Sequence, residues 1–296
     1  MSATEATPSR SLRDAPRADD GYYGPGSVSW RVFADPSAGI GGQAAVFLQA
    51  LDPGLMTHFA RVSLTNEGPE AMAARFQRTT AYLRDSVFAD KAHADAAAAH
   101  VDMLHERARW TDPADGHVEV AKVPAWQQWT WWTYVWGAAR GYQEYGPSPL
   151  TEAELDRLVV ESRIGAEALR VPGPYHATFA ELDAYIHADM ASKALTSYAA
   201  EAAHALRHPD VKGPIARWAT RRMIDGMTYL LPPAARLLYA LEDRTDRDLA
   251  RGRKWTKRFV ALGRKHKSAE ELIAAAIGES ETHPYQKVRA RVAAAS

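Results

Sequence analysis

Apolar residues recur along most of this chain at intervals of three and four, in stretches separated by short clusters rich in Gly, Pro and Asp. The separators read "GPGS", "LDPG", "NEGPE", "TDPADG", "GPSP", "RVPGP", "RHPDVKGP" and "LLPP", and each is suited to stopping one helix and starting the next. Sustained alternation of the strand type is nearly absent, so the pattern predicts an all-α fold. "SPLTEAELDRLVVESRIGAEALRVPGP" shows the grammar in full: Ser148 and Pro149 or Thr151 open a helix, acids fill its first turn, and Pro172 closes it. Residues 1–21 are polar and aperiodic and are expected to form a solvated tail. One helical domain is expected over residues 22–285, followed by a C-terminal tail over 286–296.

The densest apolar stretch is "WQQWTWWTYVWG", residues 126–137, which holds five of the nine tryptophans. At about 100° per residue, Trp126, Trp129, Trp132, Thr133 and Trp136 share one face, with Trp131, Tyr134 and Ala138 on the opposite one. A helix apolar on both sides is buried. One tryptophan stripe is expected in the core, and Trp131 with Tyr134 to face something else.

Composition narrows the chemistry. The chain has 36 basic and 36 acidic side chains, so no global field draws it to nucleic acid or to an anionic membrane. The lack of cysteine excludes disulfides, thiolate zinc sites, iron–sulfur clusters and thiolate-ligated haem. No signal-peptide core and no membrane-spanning run of about 18 to 20 apolar residues is seen, and a cytoplasmic protein is expected. After about residue 245 the sequence turns strongly basic, and this segment reads as a solvated amphipathic helix packed by Leu249, Trp255, Phe259 and Leu262.

Three groups of residues are candidates for chemistry. In "ARFQRTTAYLRD", Arg75, Arg78, Thr79 and Tyr82 fall within one helical arc beside an apolar stripe. Two guanidiniums placed so can bind a ligand's carboxylates, or can snorkel to water from a helix flank. In "AHADAAAAHVDMLHERARW", His105 lies on the face of Ala94, Ala98, Val101 and Ala108, where it is either a core histidine or an iron ligand above a floor of small side chains. His204 and His208 in "HALRH" have metal-ligand spacing but lack the intervening Glu of a zinc hydrolase. Phosphate loops and nucleophile elbows are absent.

In chain order, "YYGPGSVSWRVFADPSAGIGGQAAVFLQALDPGL", "RFQRTTAYLRDSVFAD", "AAAAHVDMLHERAR" and "GYQEYGPSPLTEAELDRLVVESRIGAEALRVP" resemble the rubber oxygenase (latex-clearing protein) catalytic-domain family, which includes the mycophenolic acid pathway oxygenase. The resemblance continues through "FAELDAYIHADM", "RHPDVKGP" and "YLLPPAARLLY", covering roughly residues 22 to 245. It implies a globin-like helical core holding haem b, and oxidation of a small apolar or aromatic molecule with dioxygen or peroxide. It places His105 at the position of the iron ligand, and Arg75, Arg78 and Thr79 on the family's functional Arg-x-x-Lys/Arg-Thr pattern beside the haem.

The departures are as informative as the matches. Arg78 stands where rubber-cleaving members carry a lysine that can cap the iron, and a guanidinium does not surrender a proton to become a ligand. Asp52 and Trp131 stand where many members have histidines, so the pocket is expected to be more aromatic than usual and Trp131 to line the cofactor. His58, one turn beyond the altered "LDP", is a candidate replacement polar group on the distal side, against a surface or core role. The leading expectation is a haem b oxygenase, with His105 holding iron, Arg75 and Arg78 neutralising propionates or orienting dioxygen, and Thr79 hydrogen-bonding within the site. A non-catalytic haem-binding or sensing protein and a haem-free helical tailoring enzyme are the alternatives. Oligomerisation is left open.

Overall fold

A computed structural model gives the fold and describes residues 18–24, 26–63, 69–208, 211–241 and 244–264. The expected C-terminal tail lies outside the described residues, as does most of the N-terminal one. Ala18 and Asp19 are tied down: the Ala18 amide donates to Asp90, and Asp19 accepts from the Lys91 amide.

The described residues are all-α apart from one hairpin. The helices are α1 (Val28–Phe33), α2 (Ser37–Gln49), α3 (Pro53–Val62), α4 (Pro69–Phe88) and α5 (Lys91–Arg107), then α6 (Pro124–Tyr145), α7 (Glu152–Glu161), α8 (Arg163–Ala168) and α9 (Phe179–Asp189). They continue with α10 (Ser197–Arg207), α11 (Pro214–Leu230), α12 (Pro233–Leu238) and α13 (Asp246–Gly263). Side-chain caps start them where the sequence offers Asp, Ser or Thr: Asp52, Asp90, Thr178, Thr196 and Thr245 each accept an amide of the first turn. Thr151 and Glu154 form a reciprocal capping box at α7, so Thr151, rather than Ser148, opens that helix.

Between α5 and α6 the chain forms a hairpin that the helical pattern does not foretell. β1 (Arg109–Thr111) pairs antiparallel with β2 (Val118–Val120), with Trp110 opposite Glu119. The turn is built on "DPADG", where Gly116 takes φ +75°.

The centre of the molecule is the crossing of α2 and α6. Gly41 of α2 meets Gly137 and Gly141 of α6 backbone to backbone: a Cβ on Gly141 would lie 2.6 Å from the Ser37 carbonyl and 2.9 Å from Gly41 Cα. The close approach seats Trp129, Trp132 and Trp136 in the main core with Leu48, Leu182, Ile186 and Leu230. Trp131 is buried too, so α6 is enclosed on both faces. A second close pairing joins α11 to α13, where Gly226 meets Thr256 and Gly252 meets Asp225. Asp225 is buried between Arg222 and Arg244; burial raises its carboxyl pKa against the lowering effect of the two guanidiniums. No helix among the described residues is long and apolar enough to cross a membrane.

Candidate functional site

The residues singled out in the sequence lie on α3, on α4, at the C-terminal end of α5, and on the side of α6 that carries Trp131. His105 occupies the last turn of α5, where a helix terminus favours a cationic or donor side chain. Its Nδ1 is buried and makes no hydrogen bond among the described residues. Burial lowers the pKa of the ring, the charge of Arg75 lowers it further, and Asp102 partly offsets both. The neutral imidazole, the form that binds metals, is therefore favoured.

Arg75 extends from α4 over the ring of Phe59, with its guanidinium 4.3 Å from the ring centroid. Desolvation and the neighbouring Arg78 lower its pKa, so two cations crowd the helix face next to His105. Thr79 donates its hydroxyl to the Arg75 carbonyl at 3.1 Å, bracing the turn that carries both arginines. Farther along α4, the Tyr82 hydroxyl is buried beside Ser86.

Ala94 and Ala98, read as a floor for a flat ligand, are completely buried. Ala94 and Ala98 let α5 pack closely on protein, and Ala98 also lines a cavity with Tyr22, Asp102, Met103 and Arg170. The flank of this face of α5 is pinned by charge. Asp102, itself buried, pairs with Lys122 at 2.6 Å and Arg170 at 3.2 Å, and Lys122 also holds Glu106 at 2.9 Å.

Trp131 projects onto α8 and lies so close that a Cβ on Gly165 would fall 2.5 Å from its ring and 2.9 Å from the Tyr23 hydroxyl. Tyr134 is its neighbour at 6.2 Å and stacks on Phe33 at 5.2 Å. Burial raises the pKa of Tyr23, Tyr82 and Tyr134, and the Tyr82 phenol raises the other two further. The indole Nε1 atoms of Trp131 and Trp132 are buried without a partner among the described residues. The result is an aromatic wall with polar atoms still to be satisfied.

His58 and Asp52 lie at α3 and are both engaged. His58 is buried, with Nδ1 2.7 Å from Glu119 Oε1 of β2 and Nε2 3.1 Å from the Ala108 carbonyl. Both ring nitrogens thus face oxygen acceptors, and the side chain clamps α3 to the hairpin and to the end of α5. The Ala108 carbonyl also accepts from the Ala121 amide at 3.1 Å. Asp52 caps α3 and pairs at 2.8 Å with Lys193, which is 3% exposed, also holds Asp189 at 2.7 Å and lies 4.1 Å from the Trp129 ring centroid. Sequence reasoning missed Lys193 and Lys122, because each sits in a loop and reaches a buried carboxylate on another element, Asp52 and Asp102.

Residues 30–264, from α1 to the end of α13, match the family described as ER-bound oxygenase mpaB/B'/Rubber oxygenase, catalytic domain. The chain belongs to this family. No curated protein and no solved structure gives a match. The match assigns the domain to the oxygenases and reaches every element described above. Among the described residues no three His, Asp or Glu side chains gather as a metal-binding set. Haem iron needs only one or two axial ligands from the protein, a requirement that a single imidazole with an unpartnered nitrogen meets.

Proposed function

We propose that this family member is a haem b-dependent oxygenase of a small apolar or aromatic molecule, with His105 as the axial ligand of iron in a globin-like core. The observation that carries the reading is the unpartnered, buried Nδ1 of His105 on a ring held toward its neutral form. Leaving such a nitrogen unsatisfied costs about 1–3 kcal/mol, and iron held at that nitrogen would supply the missing interaction.

The other residues have matching tasks. Arg75 and Arg78 on α4 present two positive charges beside His105, as the two propionates of haem require. Thr79 keeps that turn in place through its bond to the Arg75 carbonyl. The wall of Trp131, Tyr134 and Tyr82 excludes water and matches an apolar or aromatic substrate by shape and edge-to-face contact. Bound haem would supply activation of dioxygen or peroxide. His58, with both nitrogens occupied by Glu119 and Ala108, is assigned to holding the α5 terminus rather than to the reacting molecule.

The test is a visible spectrum of the purified protein together with the haem-to-protein ratio of His105→Ala. The expected result is a Soret band in the wild type, and a variant that melts cooperatively yet holds little haem, partly restored by added imidazole. A stoichiometric, spectrally unchanged haem in the alanine variant overturns the assignment. Turnover with dioxygen and a reductant, or with peroxide, separates an oxygenase from a protein that only binds haem.

A further inference from the structure

The basic segment at the C-terminal end of the sequence is not used by the site above. From Leu249 to Arg264 it holds six Lys or Arg and no acid. In the fold it is α13, packed antiparallel on α11, so that Trp218 near the start of α11 meets Trp255 and Phe259 at 4.8 and 6.0 Å. At about 100° per residue α13 divides into three arcs. Leu249, Gly252, Thr256 and Val260 face inward and are buried. Trp255, Phe259 and Leu262 form the next arc, and Arg247, Arg251, Lys254, Lys257 and Arg258 the outer one.

The middle arc is not closed over. Leu262, expected to pack, is 64% exposed, and on α11 Ile215 is 80% and Trp218 41% exposed. Together these side chains make an apolar ridge at the end of the α11–α13 pair. Around it stand Arg217, Arg221, Lys254 and Arg258, all exposed, and none is paired with a carboxylate among the described residues. Arg258 lies 4.7 Å above the Trp255 ring, so its charge sits at the level of the aromatic side chains.

A protein of zero formal net charge that gathers unpaired cations around exposed Trp, Ile and Leu has a local surface at odds with its whole. Nucleic acid would use the cations and leave the aliphatic ridge in water. Insertion of Trp and aliphatic side chains at headgroup depth, with Lys and Arg on lipid phosphates, uses both. We infer that the α11–α13 face is a peripheral docking surface for an anionic lipid bilayer, with Ile215, Trp218 and Leu262 inserted and Arg221, Lys254 and Arg258 on the headgroups. It would bring the domain to the phase in which apolar molecules dissolve, and it stands whether or not haem is bound.

The test uses the full chain and sedimentation of sucrose-loaded vesicles, either phosphatidylcholine alone or with phosphatidylglycerol added at about one lipid in three. The expected result is binding to the anionic vesicles that falls at least tenfold between about 0.1 and 0.5 M salt, as about fivefold per surface cation implies. Arg221→Glu/Lys254→Glu/Arg258→Glu should abolish it, and Ile215→Ser/Leu262→Ser should lower it about tenfold, both with the wild-type circular dichroism. If the triple variant does not fold, the salt dependence and the Ile215/Leu262 variant decide. No anionic preference, or binding that both variants retain, overturns the inference. So does retention on duplex DNA without vesicle binding, or binding that appears only after deletion of residues 265–296, which would make that segment the partner of the ridge.

Discussion

Gly41→Ala measures how far the α2–α6 crossing governs the fold. In an isolated helix the change is favourable, since Ala is preferred to Gly by about 1 kcal/mol in a helix interior. Here the new methyl would run into the Gly137 carbonyl group, 2.6 Å from its carbon and closer still to its oxygen, against an ordinary contact distance of 3.4–4 Å. The obstacle is backbone, which has no rotamer to escape into, so relief of the contact with the oxygen needs a separation of about 1.5 Å. Overpacking of this kind costs about 1–3 kcal/mol, and separation also loosens Trp129, Trp132 and Trp136, which are seated by the same crossing. The expected net effect is destabilisation by roughly 2 kcal/mol or more. Gly42, the adjacent residue of the same helix, has nothing within 4 Å of an added methyl, so Gly42→Ala should stabilise by about 0.5–1 kcal/mol. Urea unfolding followed by circular dichroism and by tryptophan fluorescence reads both. A Gly41→Ala protein as stable as the wild type, or no difference in sign between the two variants, refutes the reasoning.

Other outcomes follow from the contacts around the site. Lys193→Ala leaves Asp52 buried without its cation and should cost about 2–4 kcal/mol, less than a wholly buried pair because Asp189 is partly exposed; Lys193→Met should recover part of this, read from urea midpoints. Gly165→Ala should destabilise strongly with Trp131 in place and only weakly in a Trp131→His background, where the ring it strikes is gone; additivity in the double-mutant cycle would show that the two do not touch. The carboxyl of Glu154 is held below its ordinary range by the Thr151 amide and by Arg31. Its contribution is therefore present above about pH 4.3, the unfolded value, and lost as pH falls through the lower folded value. The stability gap between wild type and Glu154→Gln should accordingly close in melts taken below about pH 4.

The parts of the fold written in local chemistry were legible from the sequence. Thr151 with Glu154, and the Asp and Thr residues ahead of other helices, announce their caps within four residues of themselves, and the burial of α6 follows from its two apolar faces. The hairpin escaped because three-residue strands carry too little alternation to register, although "DPADG" marked its turn. At the site, His105 and the arginines stood out by motif, and the structure adds why the ring favours its neutral form. For the alanine floor, sequence periodicity tells that the face is small, not whether protein or ligand lies against it, and the structure shows Ala94 and Ala98 buried with Ala98 at the edge of a cavity. Leu262 failed for a related reason: its helix arc is apolar, but it lies in the last turn of α13 and is left 64% exposed. Asp52 and His58 find their partners 141 and 61 residues away, and no local pattern encodes such a pairing.

The Ala108 carbonyl, three residues past His105, accepts from His58 on α3 and from Ala121 just after β2. The last turn of α5 is thereby bolted to two elements that lie outside the aromatic wall. With His105 in the role proposed for it, a change at Glu119 would reach the ring through His58 and the Ala108 carbonyl without touching Trp131 or Tyr134. A hairpin that looks decorative in the chain would then be a place from which the setting of that imidazole can be adjusted at a distance.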